Sequence, residues 1–134
     1  MSFYSSSAGK HTNMARIHIK NLRLRTFIGF NDEERRKRQD VVINVWIDYN
    51  AGPAAQGDLV DEALDYKKIT KEIIAHVEEN RFLLLEKLVN DLVEIVMAHK
   101  PAQQATVEVD KPHALRFSDS VSLTLAKSRD PSVR

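Results

Sequence analysis

Lys111 is the residue in this chain best placed for proton transfer. It shares parity with Val107 and Val109 in an alternating stretch, so its side chain emerges on the apolar face. Pro112 favours an extended backbone at the residue before it, which helps fix that direction. A lysine aimed into partly apolar surroundings has a lowered pKa, and an amine so tuned suits general-base work. The competing reading takes Lys111 past the edge of the core and into solvent. Glu86 falls in the first turns of a helical pattern, directly after Leu85 on the buried stripe. Its carboxylate either accepts from two adjacent N–H donors, as it does from a guanidinium, or sits on a solvated face. Glu34 lies in a polar loop and is followed by Arg35, Arg36, Lys37 and Arg38. Four adjacent cations suit a polyphosphate; a solvated turn and contacts between subunits are the alternatives. Tyr66 opens a helical pattern on its apolar stripe, which makes it a core aromatic whose hydroxyl needs a partner.

Composition removes several other chemistries. With 134 residues the chain forms one domain around a single two-layer core. Twenty cationic and nineteen acidic residues give a net charge of +1, without the basic excess of a general nucleic-acid binder. There is no cysteine, so disulfides, thiolate metal sites and a cysteine nucleophile are excluded. His11, His18, His76, His99 and His113 are scattered without metal-ligand spacing, and no metal site is expected. Nor is there a Gly-rich phosphate loop or a serine nucleophile elbow. Runs such as Phe82 to Leu85 are too short to cross a bilayer. The polar residues 1–14 lack the apolar stretch of a secretory signal, and Met14 is a plausible alternative start. Residues 1–14 therefore read as a disordered extension, 15–128 as the domain and 129–134 as a flexible tail, in a cytoplasmic protein.

The elements that must position these groups follow a ββααββ order. Ile17 and Ile19 alternate with Arg16, His18 and Lys20 in a first strand. At Asn21 the phase slips by one, to Leu22 and Leu24, which signals a β-bulge. Gly29 and residues 31–40 make a loop. In the second strand, Val41, Ile43, Val45, Ile47 and Tyr49 share one side, and Val42, Asn44, Trp46 and Asp48 the other. Residues 51–53 break the pattern. Tyr66, Ile69, Ile73 and Val77 mark one helix; Leu85, Leu88, Val89, Leu92 and Val96 mark a second, ended by Pro101. Residues 105–111 and 120–127 form two further strands. The expectation is an α+β fold with a four-stranded antiparallel sheet and both helices on one face. Its unpaired edges call for oligomerisation, and Trp46 with Val42 is either a subunit contact or an ordinary exposed aromatic.

Five stretches, in order, carry a resemblance over roughly residues 15–127: LRTFIG (Leu24–Gly29), Glu34 five residues on, ALDY (Ala63–Tyr66), NRFLLLEKL (Asn80–Leu88) and VEVDKPHA (Val107–Ala114). The chain resembles the family of dihydroneopterin aldolases and dihydroneopterin triphosphate 2'-epimerases. That resemblance implies the tunnelling fold and retro-aldol chemistry on a reduced pterin, without a cofactor. It implies that Glu86 and the Leu85 backbone anchor the pterin's pyrimidine edge, and that Glu34 binds the side-chain hydroxyls. Lys111 would transfer the proton, through a water, with Tyr66 completing the path. It further implies a homo-oligomeric ring, a tetramer or an octamer, in which Tyr66 and Lys111 serve different sites. RLRTFIG, NRF-x-LLEKL and DKPHALRFSDSVS lean to the epimerase branch and its triphosphate substrate. Arg35, Arg36, Lys37 and Arg38, or His113 and Arg116, are then the candidates for the extra charge. The aldolase reaction is the alternative. A non-catalytic pterin-binding ring has no need of Lys111, and a zinc-dependent tunnelling-fold enzyme has no histidine set to use.

Overall fold

The strand β1 (Met14–Ile28) and the strand β2 (Gln39–Asn50) form the antiparallel centre of the sheet. The computed structural model describes residues 13–129; the remainder of the expected extension and tail lies outside the described residues. The bulge read from the sequence is present. Ile17 faces Ile47 and Ile19 faces Val45, and after a register shift Leu22 faces Ile43 and Leu24 faces Val41. Asn21 takes φ 49°, a left-handed conformation that asparagine tolerates better than most residues. Its backbone N–H donates to Asn44 Oδ1 at 3.0 Å, and Asn44 Nδ2 donates back to Asn21 Oδ1 at 3.1 Å. The extra residue thus keeps all four aliphatic side chains of β1 on the core face.

The strands β4 (Ala102–Lys111) and β5 (Val121–Ser128) continue the sheet antiparallel on the far side of β2. A fifth strand, β3 (Arg81–Phe82), corrects the four-stranded expectation. It pairs in parallel with the end of β1, Phe27 opposite Arg81 and Ile28 opposite Phe82, giving the order β3-β1-β2-β4-β5. Two residues carry no alternation, so this strand had no periodic signal.

The helices α3 (Tyr66–Glu79) and α4 (Leu85–Met97) share one core with the sheet. Ile69, Ile73 and Val77 of α3 and Leu88, Val89, Leu92, Val93 and Val96 of α4 are buried with Val41, Ile43, Val45 and Ile47 of β2 and Val107 and Val109 of β4. Each such side chain contributes about 1.5–3 kcal/mol relative to exposure. Asp65 caps α3, its Oδ1 accepting from Lys68 N at 3.0 Å. The second helix stops at Met97 rather than at Pro101. There the Arg129 guanidinium donates to the Met97 carbonyl, an acceptor that the helix leaves open, and to the carbonyls of His99 and Ala102 beyond it.

Two short helices follow the first two strands, the first of them in the segment expected to be loop. α1 (Asp32–Arg36) follows β1, and α2 (Gly52–Gly57) follows β2 with a 3-10 turn at Val60–Glu62 behind it. The other sheet face carries polar groups. Arg16 pairs with Asp48 through two hydrogen bonds of 2.7 and 3.2 Å. His18 binds Asn44 Oδ1 at 2.8 Å and stacks on Trp46, centroids 4.5 Å apart. Among the described residues no helix is long and apolar enough to cross a membrane.

Candidate active site

Lys111 ends β4 and turns inward, where its Nζ lies 3.1 Å from Glu34 Oε2. The side chains are 13% and 23% exposed. Of the two sequence readings, solvent is therefore not where this lysine goes, and the group facing it is a carboxylate rather than apolar surface. The partners are 77 residues apart, so only the fold joins them.

The loop after β1 is built to hold that carboxylate. Asn31 caps α1, its Oδ1 accepting from Glu34 N at 2.8 Å, while Glu34 Oε1 accepts from Asn31 N at 3.4 Å. This reciprocal capping box satisfies two N–H groups that a helix start leaves unpaired. Gly29 comes just before, with φ +126°, and a Cβ there would lie 2.2 Å from Glu34 Cδ. The glycine vacates the space the carboxylate occupies. Gln39 opens β2 and donates to the Ile28 carbonyl and to Glu34.

Burial is the largest single influence on Glu34 and disfavours its charged form. The Lys111 ammonium, the Asn31 N–H and the Gln39 amide together outweigh it, so the carboxyl is held below its ordinary value of 4.5. A depressed folded-state pKa stabilises the fold above the unfolded value, and that stability is lost as pH falls through the folded value. Glu34→Gln is accordingly expected to unfold at lower urea than wild type above about pH 4.5. The gap should close as pH drops further. An unchanged gap down to pH 3 would show that Glu34 is not the group responsible.

Glu34 and Gln39 line a pocket of about 310 Å³ together with Lys37, Arg38 and His113. The cation run is thus divided: Arg35 and Arg36 stay on the last turn of α1 and do not line the pocket. Arg116 lies in the turn after β4, its guanidinium 5.5 Å from the Phe117 ring. Tyr66 is the first residue of α3 and is 48% exposed, which corrects its reading as a core aromatic. It stands at the helix end beyond Ile69, where the buried stripe begins.

Leu85 opens α4 and packs partly against the core, and Glu86 beside it is exposed. β3 ties this segment to the Glu34 loop: Gly29 N donates to Phe82 O at 2.9 Å, and Arg81 Nη1 donates to Arg35 O at 3.0 Å. A larger cavity of about 530 Å³ lies between α3 and the start of α4. There Asp91 pairs with His76 and Lys87 at 2.8 Å each, and the Lys111–Glu34 pair is not among its lining residues. Among the described residues no three His, Asp or Glu side chains converge as a metal site would require.

Sequence reasoning missed Asn31 and Gln39 and gave Gly29 no role beyond the loop. The spacing of Asn31 and Glu34 was a legible capping signal, whereas nothing local marked Gln39.

The sequence and the fold are both similar to known proteins. Residues 17–126 match the family described as FolB, dihydroneopterin aldolase. The chain is 54% identical over 116 residues to the dihydroneopterin triphosphate 2'-epimerase of Pseudomonas aeruginosa, across 87% of this chain and 94% of that one. It is 55% identical over 113 residues to the Escherichia coli K12 protein of that name, across 84% and 94%. Among solved structures, E. coli dihydroneopterin aldolase in complex with neopterin superimposes with a TM-score of 0.80 at 25% identity, across 85% of this chain and 99% of that one. With the family match spanning most of the sequence and relatives more than half identical across it, the chain belongs to the dihydroneopterin aldolase family.

Proposed function

We propose that the protein is an isomerase that inverts C2' in the side chain of 7,8-dihydroneopterin triphosphate, giving dihydromonapterin triphosphate. The observation that carries this reading is the inward-turned Lys111 paired with Glu34 beside a pocket, in a chain more than half identical to epimerases. Glu34 binds the side-chain hydroxyls, and Lys111, acting as the neutral amine and through a water, takes the proton from the 2'-hydroxyl. The C1'–C2' bond then breaks, and its electron pair passes into the C6=N5 imine of the dihydropterin, leaving an enamine and a phosphorylated glycolaldehyde. Re-addition to the other face of the aldehyde inverts C2' and returns the proton. The substrate supplies its own electron sink, so the amine needs only to move protons, which is worth about 10²–10⁴-fold in rate.

Glu86 and the Leu85 backbone grip the pyrimidine edge, a donor pair that a carboxylate matches with its two oxygens. Tyr66, exposed at the start of α3, completes the proton path in a neighbouring subunit's site. The subunits form a ring, a tetramer or two stacked tetramers, and work in the cytoplasm. The second reading is aldolase activity, in which the enamine is protonated and the aldehyde leaves as glycolaldehyde. It is favoured by the close overlay on the E. coli aldolase.

Chiral chromatography of the oxidised products separates the two. Incubation with dihydroneopterin triphosphate is expected to yield mainly monapterin triphosphate. Mainly 6-hydroxymethylpterin, above all from unphosphorylated dihydroneopterin, would establish the aldolase instead.

A further inference from the structure

We infer that Lys37, Arg38 and His113 form a polyphosphate-binding rim on the Glu34 pocket and set the preference for a phosphorylated substrate over the free one. The inference deepens the function proposed above and rests on it for the identity of the organic part of the ligand.

In the sequence, residues 35–38 are four equivalent cations; the fold makes them unequal. α1 ends at Arg36, and Lys37 is extended, with φ −126° and ψ 142°. The chain leaves the helix at this point and runs along the pocket into β2, so Lys37 and Arg38 line it while Arg35 and Arg36 do not. His113 reaches the same pocket from the turn after β4, two residues beyond Lys111. Basic side chains from two separate segments therefore face one cavity, an arrangement that a solvated turn does not need.

The charges already present leave room for an anion. Glu34 is matched by Lys111 at 3.1 Å. Asp40 lies 3.9 Å from His113 Nε2 but is also held by Arg25 at 3.3 Å. Glu33 is the other carboxylate on the pocket wall. The Arg38 guanidinium sits 5.3 Å from the centre of the Phe27 ring. A guanidinium steadied over an aromatic face keeps its N–H fork for an anion, the geometry that phosphate favours. Glu34, which the proposed function assigns to the side-chain hydroxyls, lines the same pocket as Lys37, Arg38 and His113.

The test compares a rim variant (K37A, R38A and H113A combined) with a helix variant (R35A and R36A). All five residues are exposed, and a thermal melt confirms that each variant folds. Binding of inorganic tripolyphosphate to the full chain is measured by calorimetry, and kcat and KM are measured for dihydroneopterin triphosphate and dihydroneopterin. The rim variant is expected to lose about 10- to 100-fold in tripolyphosphate affinity and in KM for the triphosphate. Its kcat and its KM for the free compound should hold. The helix variant should keep both. Wild-type tripolyphosphate binding by the rim variant, equal loss in the helix variant, or no binding by the wild type overturns the inference. The calorimetry decides this even if the wild-type enzyme proves not to epimerise, an outcome that would sink the proposed function alone. If the triple variant does not fold, R38Q, which keeps a polar side chain, replaces it with the same expected direction.

Discussion

Replacing Lys111 with methionine is expected to lower kcat by about 10²–10⁴-fold, the usual contribution of a positioned acid/base group. Methionine keeps an unbranched stem in a site that is mostly buried but removes the amine. Glu34 retains the Asn31 N–H and the Gln39 amide, so the loop that carries it stays in place. KM should change much less than kcat, because the amine acts on a proton that moves in the transition state rather than on the resting substrate. Steady-state kinetics with dihydroneopterin triphosphate, beside a thermal melt, reads both. Turnover within a few-fold of wild type would remove Lys111 from the chemistry.

Gly29→Ala is expected to damage stability and turnover together, from a residue that touches no substrate in the proposed mechanism. At φ +126° an L-residue is strained whatever its surroundings, at about 1–3 kcal/mol. The new methyl also meets the Glu34 carboxylate, 2.2 Å from Cδ and Oε1. One of the two must move. If the carboxylate is displaced, its contact with Lys111 is lost, and kcat should fall by about 10²-fold or more. A lower urea midpoint and a lower kcat in one variant would tie the glycine to the placement of Glu34. Wild-type values for both would mean that the loop accommodates a side chain without disturbing the pair.

What the sequence made legible followed the strength of its periodic signals. The four long strands and two long helices each repeat an apolar residue often enough to be read. The slip at Asn21 was readable because Ile17, Ile19, Leu22 and Leu24 cannot share a face without it. α1 buries nothing, so no apolar pattern could reveal it, and only the Asn31–Glu34 spacing pointed to a helix start. Tyr66 misled because helical spacing continues one turn past the point where Ile69 meets the core. For Lys111, parity gave the inward direction but no partner, since strand patterns are local and Glu34 lies 77 residues away. The division of the cation run was equally invisible. It depends on where α1 stops, which short-range signals fix only to within a residue or two.

The smallest strand in the sheet also offers a way of watching the site at rest. Gly29 N–H is bound to the carbonyl of Phe82, and the last two positions of β1, Phe27 and Ile28, pair with Arg81 and Phe82. One amide proton therefore sits at the junction between the segment leading to Glu86 and the loop holding Glu34. Its exchange with solvent requires that junction to open, and the segment leading to Glu86 parts from the Glu34 loop at this point only when it does. The slow or rapid disappearance of a single resonance in heavy water thus reports the preorganisation of the empty enzyme, without substrate, product or turnover.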